Sequence, residues 1–122
     1  MTYLHNDVFD KGLSELADAD ALHICSAEPA TYAAATSTYT LGNKATPTVS
    51  APGDRAAGGR EVTISAITDG SVTGTNTATH AALVDSLTSR LLAAYALSAS
   101  QAVTSGNTFS LPAHKIGIPA PA

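Results

Sequence analysis

The chain is expected to fold as a mainly β domain, a β-sandwich or barrel-like structure behind one short N-terminal helix. Three observations predict this. Runs such as Glu61-Val62-Thr63-Ile64-Ser65-Ala66-Ile67 alternate apolar and polar side chains with the period of a strand. Turn signals, among them Asp69-Gly70 and Ser105-Gly106-Asn107, separate such runs at the ~8–12-residue spacing of small sandwiches and barrels. One segment alone, near the N-terminus, carries a helical stripe. The 122 residues form one domain, 1–122, long enough to hold a core of its own.

Residues 6–19 are read as the helix. Asn6 or Asp7 caps it, acidic residues suit its first turn, and Phe9, Leu13 and Leu16 share one face. Gly12 weakens it by about 1 kcal/mol. A strand from Ala21 to Ser26 follows, then a helical turn over 29–36 with Pro29 near its start. Thr38 to Leu41 reads as a strand ending at Gly42-Asn43. The stretch 44–59 holds Pro47, Pro52, Gly53, Gly58 and Gly59 and reads as a long loop. A loop of that length is often functional or interface-forming.

From Arg60 the pattern is β throughout. Val62, Ile64 and Ala66 share one face, and Asp69-Gly70 marks a turn before a strand from Val72 to Thr75. In Thr77 to Val84, alternation sets Ala78, His80, Ala82 and Val84 opposite Thr79, Ala81 and Leu83. Asp85 to Ser89 reads as a turn. Arg90 to Leu97 favours a helix by propensity, but its place between strands argues for a strand. Thr108 to Leu111 and Lys115 to Ile118 close the chain as short strands before an extended Pro-Ala-Pro-Ala tail.

Composition narrows the function. Apolar residues make up 44% of the chain, yet Ala supplies much of this, with no Trp, one Met and two Phe. Hydrophobic stabilisation scales with buried area, so the core is thin in large side chains and gains from partner subunits. Charged residues are only 13% against about 25% in an average globular protein, which suits packing against a neighbour. Net charge is −4, and Lys11, Lys44, Arg55, Arg60, Arg90 and Lys115 are scattered. Binding a phosphate backbone needs several cations on one face, so nucleic acid is not an expected partner. No apolar run approaches the ~20 residues that span a bilayer, so no membrane partner is expected. The first ten residues lack the basic and apolar regions of a secretory leader, so synthesis in a cytosol is expected.

The chemistry-bearing residues are few. Cys25 is alone and sits in an apolar run, the setting of a buried, inert thiol. His23 and Cys25 share a strand face, but no second pair completes a metal site, and no metal or other cofactor is expected. His80 and Asp85 are close in sequence without a nucleophile elbow. His80 reads as a partly buried strand residue and Asp85 as a turn former. The loop 52–60 lacks the Lys and the following helix of a phosphate loop. No catalytic residues are therefore assigned. Tyr3, Tyr32, Tyr39 and Tyr95 couple apolar area to a hydroxyl, as interface residues do. The residues expected at a shared surface are Tyr3, Tyr32, Tyr39, Arg55, Arg60, Ile116 and Ile118. Met1 to Asn6, the 44–59 loop and the tail from Ile116 are the candidate extended arms.

The segments ALHICSAEPATYAAA (21–35), GREVTISAI (59–67), GTNTATHAALVD (74–85) and LSASQAVTSGNTFSLP (97–112) resemble, in the same order, a family of small virion structural proteins of tailed phages and prophages. The composition is also similar to that of head decoration, or cement, proteins. The resemblance implies a non-enzymatic protein of the capsid surface, with the major capsid protein as partner and a homo-oligomer, by preference a trimer. A tail or baseplate component is the alternative within the particle. A carbohydrate-binding module for host attachment is a third reading, disfavoured by the lack of Trp and the dispersed tyrosines.

Overall fold

The computed structural model describes residues 4–119. The helix α1 runs Asn6–Ser14 and tightens into a 3₁₀ turn at Glu15–Asp18. It buries Phe9, Leu13 and Leu16, the stripe expected from the sequence. The cap lies one residue earlier than expected. His5 is extended, at φ −64° and ψ 144°, and its Nδ1 accepts from the Asp7 N–H at 3.1 Å, because Asn6 and Asp7 are already helical.

Among the described residues nine strands follow, in two sheets: β1 (Ala21–Cys25), β2 (Thr40–Ala45), β3 (Gly53–Asp54), β4 (Arg60–Ile64), β5 (Ile67–Val72), β6 (Asn76–Asp85), β7 (Arg90–Val103), β8 (Thr108–Leu111) and β9 (His114–Ile118). The first sheet is a six-stranded antiparallel half-barrel in the order β7-β6-β1-β2-β5-β8. The second is three-stranded, β3-β4-β9. The domain is thus mainly β with one short N-terminal helix, as the sequence predicts. A π-helical turn, Ala34–Thr38, joins β1 to β2; it overlaps the end of the segment 29–36 expected to turn helically and runs two residues past it, over the expected start of the next strand at Thr38. No helix among the described residues is long and apolar enough to cross a membrane.

The main core fills the space between half-barrel, small sheet and helix. Leu22 and Ile24 of β1, Val62 and Ile64 of β4, Leu83 of β6 and Leu13 of α1 are each at most 2% exposed. Strand alternation sends the other side chains of β1 and β6 to the opposite face. There Cys25, Ala82 and Val84 form a second cluster with Ala35 of the π turn, flanked by Tyr32, Tyr39 and Leu91.

Two glycine pairs expected to mark turns lie inside strands instead. Gly70 is buried in the middle of β5, where ring atoms of Phe109 on β8 occupy the space a Cβ would need. Its neighbour Asp69 pairs with Lys44 of β2 at 3.1 Å. Gly42 lies within β2, where a Cβ would run into the backbone of Ser71 on β5. Both glycines serve close approach between strands rather than a turn. The strand expected from Val72 to Thr75 therefore ends at Val72, and β2 begins at Thr40 and continues to Ala45.

Two face assignments also change. Ala66 is exposed because β4 ends at Ile64 and the chain crosses to the other sheet through Ser65-Ala66. Ala78 packs in the main core with Ala81 and Leu83, because the β6–β7 ladder is irregular between Ala78 and His80 and alternation does not carry through it. The 44–59 stretch is shorter as a loop than expected. It begins within β2, contributes β3 and makes an isolated bridge from Val49 to Ile64.

Arg90 to Leu97 is a strand, and β7 runs on to Val103. The turn joining β6 to β7 is built by two carboxylates. Asp85 is 5% exposed and accepts from the Leu87 N–H at 3.1 Å, from the Thr88 hydroxyl and from Arg90 Nη2, both at 3.0 Å. The Arg90 bond, above all, holds Asp85 below the usual carboxylate range, against the opposing effect of desolvation. Asp20 accepts from the Ser86 N–H at 3.1 Å and from its hydroxyl.

The glycine placements give a direct test. Gly70→Ala is expected to cost on the order of 1–3 kcal/mol, since Phe109 is itself packed in the core and has nowhere to move. Gly12 is helical, and a Cβ there meets nothing nearer than Ile118 Cδ1 at 3.8 Å. Gly12→Ala is expected to add about 0.5–1 kcal/mol. Urea unfolding of the two variants beside the parent chain checks both signs.

Candidate interaction site

The site is a seam where the half-barrel stays open. Strand β7 pairs with β6 along one edge, and its other edge has no strand partner among the described residues. At the far side the chain leaves β8, turns through Pro112-Ala113 and enters β9 of the other sheet. Between them lies a groove of about 550 Å³, walled by Ala93, Tyr95 and Leu97 from β7 and by Leu111, Pro112 and Ile116 from the far side.

Two hydrogen bonds cross this seam. Gln101 Nε2 donates to the Ser110 carbonyl at 2.9 Å. The Tyr95 hydroxyl lies 2.5 Å from His114 Nε2, and the two rings stand 5.1 Å apart at 49°. His114 Nδ1 lies 3.0 Å from the Pro112 carbonyl, which can only accept. Nδ1 therefore carries the hydrogen, and Nε2 accepts from Tyr95. Burial pushes the Tyr95 phenol above its ordinary pKa, which keeps it a donor. The groove thus offers apolar walls, a polar pair that is already matched, and an open strand edge. That combination suits an extended segment or an inserted apolar side chain.

The residues expected at a shared surface fall in two places. Arg55, Arg60, Ile116 and Ile118 come together on the small sheet, where Arg60 pairs with Ile118 and Val62 with Ile116 across β4 and β9. Arg60 is engaged internally. It grips Asp10 of α1 through Nε at 2.9 Å and Nη2 at 3.1 Å, and Asp54 of β3 through Nη1 at 2.6 Å. These bonds raise its pKa further and tie the helix to the small sheet. The Arg55 stem lies over Gly117, and its Nη1 donates to the Gly58 carbonyl at 3.0 Å. Ile116 packs against the main core, and Ile118 stays 36% exposed at the end of β9. The tail from Ile116 to Ile118 is therefore paired within the chain rather than extended away from it.

Tyr32 and Tyr39 lie elsewhere, half-buried on the outer face of the half-barrel beside the π turn. Tyr3 falls outside the described residues, as does the end of the tail. Tyr95 was legible as one aromatic in the set of tyrosines. Its pairing with His114 had no local signal, since the two sit 19 residues apart.

The remaining chemistry-bearing groups have structural partners. Cys25 is fully buried, its Sγ lies 3.7 Å from the Ala35 carbonyl, and burial pushes its pKa up to about 11. His80 Nδ1 meets the Thr79 hydroxyl at 2.8 Å. His23 Nδ1 meets the Thr40 hydroxyl at 2.8 Å. Among the described residues, no three His, Cys, Asp or Glu side chains converge as a metal site would require.

Burial lowers the His23 pKa, and nearby Asp20 opposes this only in part. The unfolded chain therefore binds the proton more readily than the folded one. Stability is full above the unfolded value of about 6.5 and is lost as pH falls through that value toward the lowered folded one. The urea midpoint is expected to drop between neutral and mildly acidic pH, and to drop less in His23→Gln. At the seam, Tyr95→Phe is expected to cost about 1 kcal/mol and to speed amide exchange in β9. Exchange unchanged from the parent would show that the bond does not hold the seam.

Compared with protein-family models, with curated proteins and with solved structures, the chain gives no match.

Proposed function

We propose that this chain is a structural protein of a tailed-phage particle, a decoration protein that binds and stabilises the capsid surface. In this reading its partner is the major capsid protein, it works as a homo-oligomer, by preference a trimer, and it performs no turnover. It is made in the host cytoplasm and ends on the capsid surface.

The observation that carries the reading is the seam. Strand β7 is 14 residues long and, after Arg90, contains no charged residue and no Pro. Natural sheets usually guard such an edge with charge, Pro or short length. The other outer strands are guarded in that way: β8 has 4 residues, β3 has 2, and β9 carries Lys115. An open, uncharged edge beside an apolar groove is what a protein that works by surface contact requires. The resemblance of four ordered segments to virion structural proteins points to the particle, and the small number of large core side chains favours shared burial.

Thermal scanning of purified heads with and without the protein tests the cementing role. Heads that carry it are expected to melt at a higher temperature, and equal melting would count against it. Gold labelling of the chain on intact particles separates head from tail: label confined to the tail would move the assignment to a tail or baseplate component.

A further inference from the structure

His114 faces the seam and is held at both ring nitrogens. Nδ1 lies 3.0 Å from the Pro112 carbonyl, and Nε2 lies 2.5 Å from the Tyr95 hydroxyl. The carbonyl has no hydrogen to give, so Nδ1 carries one, and the neutral ring accepts at Nε2 alone. Tyr95 donates to it across the seam. His23 and His80 are held differently: the Nδ1 of each meets a threonine hydroxyl, which can donate or accept and so turns to suit either state of the ring. The Pro112 carbonyl cannot turn in that way, and it leaves His114 with a single acceptor position.

A second proton on this ring goes to Nε2, where the Tyr95 hydrogen now points. The imidazolium then donates at both nitrogens. Tyr95 must turn its hydrogen away, and among the described residues its hydroxyl has no other hydrogen-bond partner. A buried donor left unmatched costs more than the bond itself contributes, and Tyr95 is buried enough to suppress its own ionisation. The new charge finds no counter-ion. The ionisable groups facing His114 are Tyr95 from β7 and Lys115 beside it on β9, and Lys115 is paired with Glu61 of β4 at 3.2 Å. Opposite His114 on β4 stands Ile64, and none of the described residues lining the groove is a carboxylate. The second bond across the seam, from Gln101 to the Ser110 carbonyl, contains no ionisable group. One end of the seam is thus held by a pair that depends on a proton, and the other by a pair that does not.

We propose that the Tyr95–His114 pair is a proton-operated latch on the groove: a second proton on His114 frees β7 from β9 at that end of the seam, while the Gln101–Ser110 bond holds the other end. The latch is closed while the ring is neutral and opens as the pH falls through the ring's titration. Opening widens the groove and bares the edge of β7, and a return to neutral pH closes both. The inference rests on the seam as the working surface of the function proposed above, and adds a control on access to it.

The test is residue-level amide exchange on the full chain, divided by the intrinsic rate, from about pH 7.5 to about pH 5, where imidazoles titrate. The chain carries His23→Gln throughout, so that the effect expected from His23 does not mask that of His114. As the pH falls, exchange in His114–Ile118 is expected to quicken by about tenfold, the factor for losing one hydrogen bond, while Thr108–Leu111 stays level. The rise is expected to follow the titration of His114 read from its own ring-nitrogen signals. In His114→Gln, which keeps a side-chain acceptor for Tyr95 but cannot titrate, exchange is expected to stay level across the range. No quickening in β9, an equal rise in β8 and β9, a rise that departs from the ring titration, or the same rise in His114→Gln would each overturn the proposal. The match between exchange and ring titration is measured with His114 in place, so it decides even where His114→Gln fails to fold. Capsid binding is read separately on heads at neutral pH, so failure of the virion reading and failure of the latch are told apart.

Discussion

A six-stranded half-barrel has a concave apolar face that it cannot cover by itself, and the rest of this fold follows from how that face is closed. The plug is β4, whose Val62 and Ile64 are essentially inaccessible to solvent, backed by β9 and by the helix. Arg60 fastens the plug to α1 by a two-pronged bond with Asp10, and planar guanidinium–carboxylate pairs of this kind also set orientation. Closing the core in this way has a topological consequence. The chain must leave the half-barrel after β2 to make β4, return for β5, and leave again after β8 to make β9. The strand that would have closed the barrel against β7 belongs to the plug, and the seam is what remains.

Local pattern was enough wherever one face of an element decides its burial. The helix stripe, the alternation in β4 and the turns at 86–89 and 105–107 were legible for that reason. Arg90 to Leu97 shows the limit of propensity: its alanines and leucines favour a helix, but pairing with β6 from Arg90 to Ala96, broken only by one register shift, outweighs a preference worth a few tenths of a kcal/mol per residue. Three of the failures share one cause. Gly42 and Gly70 look like turn residues because sequence shows only that they lack a side chain. The reason for the lack, a neighbour's backbone in one case and the Phe109 ring in the other, lies on a different strand. The shifted face of Ala78 is likewise set by a ladder irregularity against β7 that no window of β6 contains.

The site was less legible than the fold, for the same reason carried further. Residue type alone does not show what a surface side chain is already doing: Arg60 looks like an available cation and proves to be engaged by two carboxylates. The seam is assembled from segments that separately look unremarkable. Arg90 to Leu97 reads as a strand only by its place between strands, Thr108 to Leu111 as a short strand, and His114 as one histidine among four. Only topology brings them together.

The small side chains of β7 tie these points together. Alanine and serine contribute little cross-strand packing, so a strand made of them is weakly specified by its own sequence. Its order comes from pairing with β6 on one side and from two side-chain bonds across the seam on the other. The alanines and Ser98 that share the groove with Tyr95 and Leu97 leave room between them, beside a strand edge that has no strand partner among the described residues. The thin core and the open seam are thus two sides of one choice of residues, which moves apolar burial from the inside of the domain to its boundary. A domain built so would gain stability from any cover over that boundary, which a fully packed barrel of equal length would not.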